Sequence, residues 1–525
     1  MSWISNIFKS KPAPRSEANF GQAGAAHYIS VNFDGEKNVG DIGPIIDYRL
    51  DYAALSARSW QAYLESEIAR TVLNRYGIWI IDKGLKLQCS PAKKILESEG
   101  VNINTEEFNS IVEARYNLWS KSKHASFNGM QSLNDISKDA FKNAKIGGDV
   151  LVVLRIVKGK LKIELIDGVH LHSPLFQIAE KGKNRIINGV EIDKNGRHIR
   201  YHIPQGLGED TIKIDAWSKS TGLRMAFLVY GSKYRTNSLR GLPSITTSLE
   251  TLKKLERYKE AAVGSAEERQ KIPYFFEHND SSDGSTPFID SVTQTFSGGG
   301  DEGVVPIDEQ GEILANKVAI TTGKQVFNMT KGSKVVSVDS KQEMFFKEFY
   351  ETNANIICAA LGIPPNVAFS LYNDSFSASR AATKDWEHTI NVERDDFKAQ
   401  FYDPIFTMWM HIEVLSGKIN APGFIEASRS ENFMVTEAYL NNRFTGPMFP
   451  HIDPLKEVKA EREKLGPLLK HIPLGTVEQS TENLFSGDSV SNVEQAGEEL
   501  RHATENGLVS MEQQQIENPT NTESE

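Results

Sequence analysis

Between Lys341 and Arg380 the chain reads KQEMFFKEFYETNANIICAALGIPPNVAFSLYNDSFSASR, and this stretch restricts the fold more than any other. Ser340 and Glu343 have the spacing of a capping box, in which a hydroxyl and a carboxylate satisfy two free N–H groups at a helix start. Apolar side chains then recur at Phe345, Phe349, Ile356, Ile357 and Ala360, the period of one helix face. Gly362 sits where a helix places its left-handed terminating residue, and Pro364 blocks continuation. The two prolines predict an extended loop from Pro364 to Ser375, and Ser377 is placed to cap a second helix. The loop carries no catalytic constellation, so the segment reads as a device for holding and presenting a loop.

That second helix is expected from Ser377 to about Ser416. Ile390, Phe397, Phe401, Ile405, Met408, Ile412 and Leu415 mark its near-heptad face, and Pro404 should kink it, since proline lacks the donor and clashes one turn back. Upstream, a helix of about Ser248 to Gln270 should open on a Thr247–Glu250 capping box. Leu249, Leu252, Leu255 and Tyr258 make a narrow apolar seam on its otherwise charged surface. Such a seam suits packing against a few neighbours around an aqueous space, and suits a plain surface helix equally. Between the two helices, residues 274–340 hold short β-like pieces joined by Gly- and Ser-rich links.

Earlier still, a helical pattern runs from Asp47 to Asn74, and another helix starts around Thr105 with Phe108, Ile111 and Tyr116 on one face. DVLVVLRIVKGKLKIELID (Asp149 to Asp167) reads as a strand pair turning at Lys158-Gly159, and a second hairpin turns at Asn195-Gly196. These signals predict an α+β fold class. Short helices are expected around Glu457 to Leu469 and Glu494 to Ala503. From Thr481 onward about ten acids face one arginine, the balance of a mobile acidic tail.

At 525 residues the chain exceeds one core, and two to four compact units are expected. Cys89 and Cys358 are the only cysteines, too few for a disulfide framework or a zinc site, which points to a reducing environment. No apolar run reaches membrane-span length, so no membrane partner is expected. The opening MSWISNIFKSK lacks a secretory h-region and reads as a short amphipathic arm that docks on a neighbour or frays. A net charge of −10 argues against a tight nucleic-acid binder, because that affinity comes mainly from cations neutralising phosphates. It is compatible with a conduit along which a duplex slides.

Candidate chemical motifs fail on inspection. TTGKQ (Thr321 to Gln325) lacks the leading glycine and the hydroxyl of a phosphate-binding loop, so ATP hydrolysis is not expected. GGGDEG (Gly298 to Gly303) fits a link, and NDSSDGS (Asn279 to Ser285) misses the acid positions of a calcium loop. His170 and His172 should face one side of a strand without further ligands nearby, so no metal is assigned. Asp385, Glu387, Asp395 and Asp396 could be imagined as nuclease ligands but sit on an amphipathic helix, where such charges are usually solvated. Neither a cofactor nor catalytic residues are expected. A metal-dependent DNA-processing enzyme, such as a nuclease whose ligands converge from distant segments, is the alternative.

Several blocks resemble the lambda-like portal proteins of tailed bacteriophages. ALGIPP (Ala360 to Pro365) followed by SFSASRAA (Ser375 to Ala382) is similar to that family's turn into a long helix. ARSWQAYLESEIARTVLNRYGIWIIDKGLKLQ (Ala57 to Gln88) resembles its Arg-rich helix leading into a Gly-containing strand. IINGVEIDKNGRHIRYHI (Ile186 to Ile203), SLRGLPSI (Ser238 to Ile245) and HIDPLKEVKAE (His451 to Glu461) resemble further elements in family order. A head–tail adaptor fits poorly, since adaptors are generally much shorter.

The resemblance implies a non-enzymatic ring protein, dodecameric, at one vertex of the virion capsid and assembled in the host cytoplasm. It divides the chain into an N-terminal arm (1–45), a wing (46–245), stem helices (246–272 and 341–362), a small α/β clip (273–340) and a tunnel loop (363–376). A long kinked helix and wing (377–445), a helical crown (446–503) and an acidic disordered tail (504–525) follow. The implied partners are further copies of the chain, transient and non-specific double-stranded DNA, the terminase large subunit, the major capsid protein and scaffold, and a head–tail connector. Leu371, Tyr372, Asn373, Asp374, Ser375 and Arg380 are the candidate DNA-channel residues. Leu249, Leu252, Leu255, Tyr258, Phe345 and Phe349 are the candidate ring-assembly seam.

Overall fold

The computed structural model describes residues 52–173, 184–205, 211–233, 235–236, 238–271, 274–276, 316–319, 325–328, 346–371, 376–430, 432–447, 454–465, 477, 480–481 and 489–505. The chain divides into two compact units: Glu250–Ile357, and the residues on either side of it.

In the larger unit the first helical pattern resolves into two helices, α1 (Tyr52–Glu65) and α2 (Glu67–Ile81), broken at Ser66. Helix α2 runs straight through Gly77. The strand expected after this helix is β1 (Lys86–Cys89), which itself holds no glycine; Gly84 lies in the turn before it, at positive φ like Asp82. Helices α3 (Lys93–Ser98), α4 (Thr105–Lys121) and α5 (Leu133–Gly147) follow. Helix α5 opens on a complete capping box, Ser132 with Asp135, which uses Asp where the usual pattern has Glu.

The Lys158-Gly159 hairpin forms as its alternation predicts. Strand β2 (Asp149–Val157) pairs antiparallel with β3 (Lys160–Asp167), and Val157 lies opposite Lys160. Strand β2 is central, with β8 (Ala226–Tyr230) on its other edge. A four-stranded antiparallel sheet follows the order β4 (Arg185–Ile187), β5 (Val190–Ile192), β6 (His198–Pro204), β7 (Thr211–Asp215). The Asn195-Gly196 hairpin joins β5 to β6 as expected. Asn188-Gly189 makes a second tight turn, between β4 and β5, with both residues at positive φ. One core cluster joins the two sheets through Leu151, Val153, Val190, Tyr201, Ala226 and Leu228. Helix α5 packs on β2.

Helix α6 (Leu249–Lys271) is entered through a 3-10 turn, Thr246–Ser248, in place of the expected capping box; Thr246 Oγ1 donates to Pro243 O at 2.6 Å. Its 23 residues rise about 34 Å. In the smaller unit a three-stranded sheet is described, with β10 (Asn316–Ala319) antiparallel to β11 (Gln325–Asn328), and β9 (Tyr274–Phe276) parallel to β11. Helix α7 (Phe346–Ala360) leads back. The Ser340–Glu343 capping box, Phe345 and the Gly-rich links lie outside the described residues.

Beyond α7 come α8 (Pro365–Phe369), α9 (Phe376–Phe397), a π-helical turn (Lys398–Tyr402) and α10 (Asp403–Leu415). The expected proline kink is thus a π turn. Pro404 has no N–H to give to Gln400 O, and the Asp403 N–H bonds instead to Lys398 O, five residues back. Of the predicted face, Ile390, Phe397, Phe401, Ile405 and Met408 are buried, while Leu415 is exposed. Helices α11 (Phe424–Arg429) and α12 (Phe433–Leu440) and strand β12 (Asn442–Thr445) follow, and β12 returns to pair antiparallel with β1. An aromatic core ties these late elements to early ones: the Tyr116 ring contacts Phe406, Trp409 and Phe444 within 5.1–6.1 Å. Helices α13 (Pro454–Leu465) and α14 (Ser489–Glu505) complete the described chain, near the two short helices expected there.

Candidate functional site

The presented loop begins where α7 stops. The Ile363 N–H bonds to Cys358 O and the Gly362 N–H to Ala359 O, both at 3.1 Å, with Gly362 at φ +68°. This crossed pair of bonds closes the helix end as the sequence predicts. The next step departs from expectation: Pro364 and Pro365 build the short helix α8 in place of extended chain, with Pro364 as N-cap and Pro365 at the first helical position. That position needs no N–H donor, and proline's fixed φ suits it. Ile363, Val367 and Ala368 are buried. Ser370 ends α8 in the left-handed conformation, and its hydroxyl accepts a hydrogen bond from the Arg75 guanidinium of α2.

Helix α2 also holds the far side of the loop. Trp79 meets Trp386 of α9 edge-on at 5.4 Å. Arg394 of α9 donates to Trp79 O at 2.8 Å and to Ile80 O at 3.1 Å, satisfying carbonyls at the α2 C-terminus, where a cation is favoured. One helix therefore clamps both flanks. Leu371, just past the end of α8, is 57% exposed. Tyr372, Asn373, Asp374 and Ser375 lie outside the described residues. Arg380 belongs to the first turns of α9, and its side chain is likewise outside them.

The seam residues divide. Leu249, Leu252 and Leu255 are buried within the single chain, so that part of the seam is already covered. Tyr258 stacks on Phe346 at 5.6 Å and meets Phe349 at 4.5 Å. Phe349 remains 41% exposed, and Ile356, two turns along α7, is exposed as well.

The most elaborate polar arrangement was not singled out from sequence. Arg240, of the SLRGLPSI block, is buried and uses all five of its N–H donors. Nε and Nη2 grip the Asp149 carboxylate at 2.6 and 2.8 Å, and Nη2 also donates to Gly168 O at 2.7 Å. Nη1 donates to Leu171 O at 3.1 Å and to Asn188 O at 2.8 Å. The Gly241 N–H adds a bond to Asp149. Burial disfavours the charge, but the adjacent carboxylate outweighs it and raises the guanidinium above its ordinary pKa. The glycines around it are steric necessities: a Cβ on Gly168 would overlap Asp149, and one on Gly241 would overlap Gly148 O. This knot ties β2, the β4–β5 turn and the chain entering α6. The sequence signal was an Arg-Gly pair followed by proline, which does not reveal its distant aspartate.

Among the described residues no group of three or more His, Cys, Asp or Glu side chains is placed to hold a metal ion. His170 lies in a 3-10 turn, not a strand, and both it and His172 are exposed. Asp385, Asp395 and Asp396 face solvent, and Glu387 pairs with Lys384 at 2.7 Å. No helix among the described residues is long and apolar enough to cross a membrane.

No curated protein matches the chain in sequence. The profile of the family described as phage portal protein, lambda family, matches residues 43–394, which include both sheets built from β2 to β8, the Arg240 knot, α6, α7 and the clamped loop. Because that match covers more than half of the chain, the protein belongs to the lambda family of phage portal proteins.

Proposed function

We propose that copies of this chain close into a ring, dodecameric as the family resemblance implies, at a single vertex of the phage capsid, and that the genome passes through its axis during packaging and ejection. The family match over residues 43–394 carries this reading. The ring docks the terminase large subunit, whose ATPase supplies the work, and later the head–tail connector; the major capsid protein and scaffold surround it. The chain itself is structural and performs no chemistry. Contacts around the ring are heterologous, one surface meeting a different surface on the next copy until rotation closes it.

In this reading Leu371 to Ser375 are the tip of a tunnel loop that touches DNA transiently. The double clamp on α2 supports it, since a loop whose ends are fixed on one helix keeps its position while a duplex slides past. A tip of apolar, aromatic and amide groups beside Asp374 suits passing contact with a backbone better than tight binding. Residues 273–340 form the clip that meets motor and connector, and neighbouring copies complete its small sheet. End-on electron microscopy of the purified protein tests the reading: closed rings with an axial channel are expected, and a monodisperse monomer at assembly concentrations overturns it.

A further inference from the structure

Two segments of the larger unit, 116–134 and 150–163, contain no acidic residue. They carry Lys121 and Lys123, and Arg155, Lys158, Lys160 and Lys162, in a chain whose net charge is −10. The fold brings the two segments together. Ser126 bridges to Ile163 of β3, the Phe127 N–H donates to Ile163 O at 2.8 Å, and Lys162 Nζ donates to Ser126 O at 3.1 Å. Arg155 lies over the Phe127 ring at 5.1 Å and pairs with Glu164. Lys123 feels Asp135, whose carboxylate is already spent on the α5 cap. Lys121, Lys158 and Lys160 are exposed and have no acidic partner among the described residues. Phe127 and Met130 are exposed too. The hairpin end of the three-stranded sheet is thus a cationic patch with an uncovered aromatic ring. Helix α9 carries the opposite sign. Val392 and Asp396 follow Asp385 by seven and eleven residues, which places the three on one face, and Asp395 adjoins it. All four are exposed, and the three carboxylates have no cation paired with them among the described residues.

The two patches cannot meet within one chain. Lys145 Nζ donates to Glu393 of α9 at 2.7 Å and to Gly231 O at 2.9 Å, and the Gly231 N–H donates to Gly148 O at 2.7 Å, just before β2. Gln400 Oε1 accepts from the Tyr230 N–H at 2.8 Å, and Tyr230 lies opposite Asp149, the first residue of β2. Asp395 and Asp396 lie between these two anchors, at the start of β2. The length of that strand, roughly 30 Å, then separates them from Lys158. We propose that the hairpin patch receives the acidic stripe of α9 on the next copy of the chain, a ring contact in addition to the α7 seam; this rests on the ring reading above. Lys158 and Lys160 face the stripe's carboxylates, and Phe127 packs on Val392. A contact between opposite ends of identical chains is heterologous, the kind that rotation closes into a ring. Opposed charges across it fix register and suppress wrong pairings. A DNA duplex would satisfy the lysines but leave the α9 stripe unmatched, whereas a second copy matches both.

Sedimentation velocity of the full chain over a concentration series tests the contact. Lys158→Glu with Lys160→Glu should raise the concentration of half-assembly about tenfold, and Asp385→Lys with Asp396→Lys should do the same. All four substitutions together should restore assembly to near the native level, with the unfolding midpoint unchanged in every variant. Carbodiimide coupling of rings built from unlabelled and 15N-labelled chains should join Lys158 or Lys160 to Asp395 or Asp396, with a share of the products carrying both isotopes. Products of a single isotope only, or no rescue by the combined swap, would overturn the contact. Lysine reversals that abolish binding of a fluorescent DNA duplex, while rings form at the native concentration, would assign the patch to nucleic acid and overturn it as well. A native chain that stays monomeric would remove the ring reading and this contact together; native rings with indifferent variants would remove the contact alone.

Discussion

Arg240 shows how much one side chain can organise. Its five donors meet two carboxylate oxygens and three carbonyls drawn from three separate segments. Truncating one partner of such a buried pair leaves the other charged and unmatched, a loss of about 3–5 kcal/mol. Arg240→Ala should therefore lower unfolding free energy by that order in denaturant titration. Arg240→Lys should recover little, because a single ammonium cannot reproduce a planar fork. His198 offers a different residue-scale test. Burial, with Arg224 and Lys233 close by, lowers its pKa from 6.5 to about 4, and burial lowers that of His411 too. A histidine depressed in the folded state binds its proton more readily when unfolded. Its contribution is thus fully present above pH 6.5 and is lost as pH falls towards 4. The thermal midpoint should drop across that window, and His198→Gln should flatten the drop.

At the scale of elements, α2 is the clamp and the loop is what it holds. Arg75, Trp79 and Ile80 lie within six residues and engage Ser370, Trp386 and Arg394. Replacing Tyr372 and Asn373 with glycine changes the loop tip and leaves every clamp contact in place. Ring assembly should be unaltered, while packaged DNA or its retention in the head declines; full-length genomes packaged and retained normally would sink the tunnel-loop assignment. The two prolines at the loop's entrance show how an element can be misjudged. A proline pushes the residue before it towards extended chain, yet proline at the first helical position favours a helix. Burial of Val367 and Ala368 decided between them.

For the whole molecule, the question is which surface meets the next copy. Leu249, Leu252 and Leu255 are spent inside the chain, which leaves Phe349 as the exposed residue of the proposed seam among the described residues, with Ile356 exposed on the same helix. Phe349→Asp with Ile356→Asp should shift the light-scattering mass from ring to monomer, since each charge would be desolvated at the contact. The unfolding midpoint of the monomer should fall only modestly, because Ile356 is exposed in it and Phe349 is partly exposed, losing its ring contact with Tyr258. An unchanged ring would move the seam elsewhere.

Local signals in the sequence determined the α+β class, the hairpins at Lys158-Gly159 and Asn195-Gly196, the glycine stop at Gly362 and most of the buried face of α9 and α10. These depend on residues within a few positions of one another: periodicity, turn chemistry and caps. The clustered blocks in family order determined the family. Tertiary structure alone decided the rest. The Arg240–Asp149 pair spans 91 residues, the Arg75–Ser370 bond 295, and β1 (Lys86–Cys89) finds β12 (Asn442–Thr445) across most of the described chain. Nothing in the spacing of a sequence encodes such partners, because they are chosen by which packed surfaces happen to meet. The π turn belongs with the local signals, because Pro404 removes a helix donor and a distortion was expected there. The break at Ser66 does not, since no short-range rule required it.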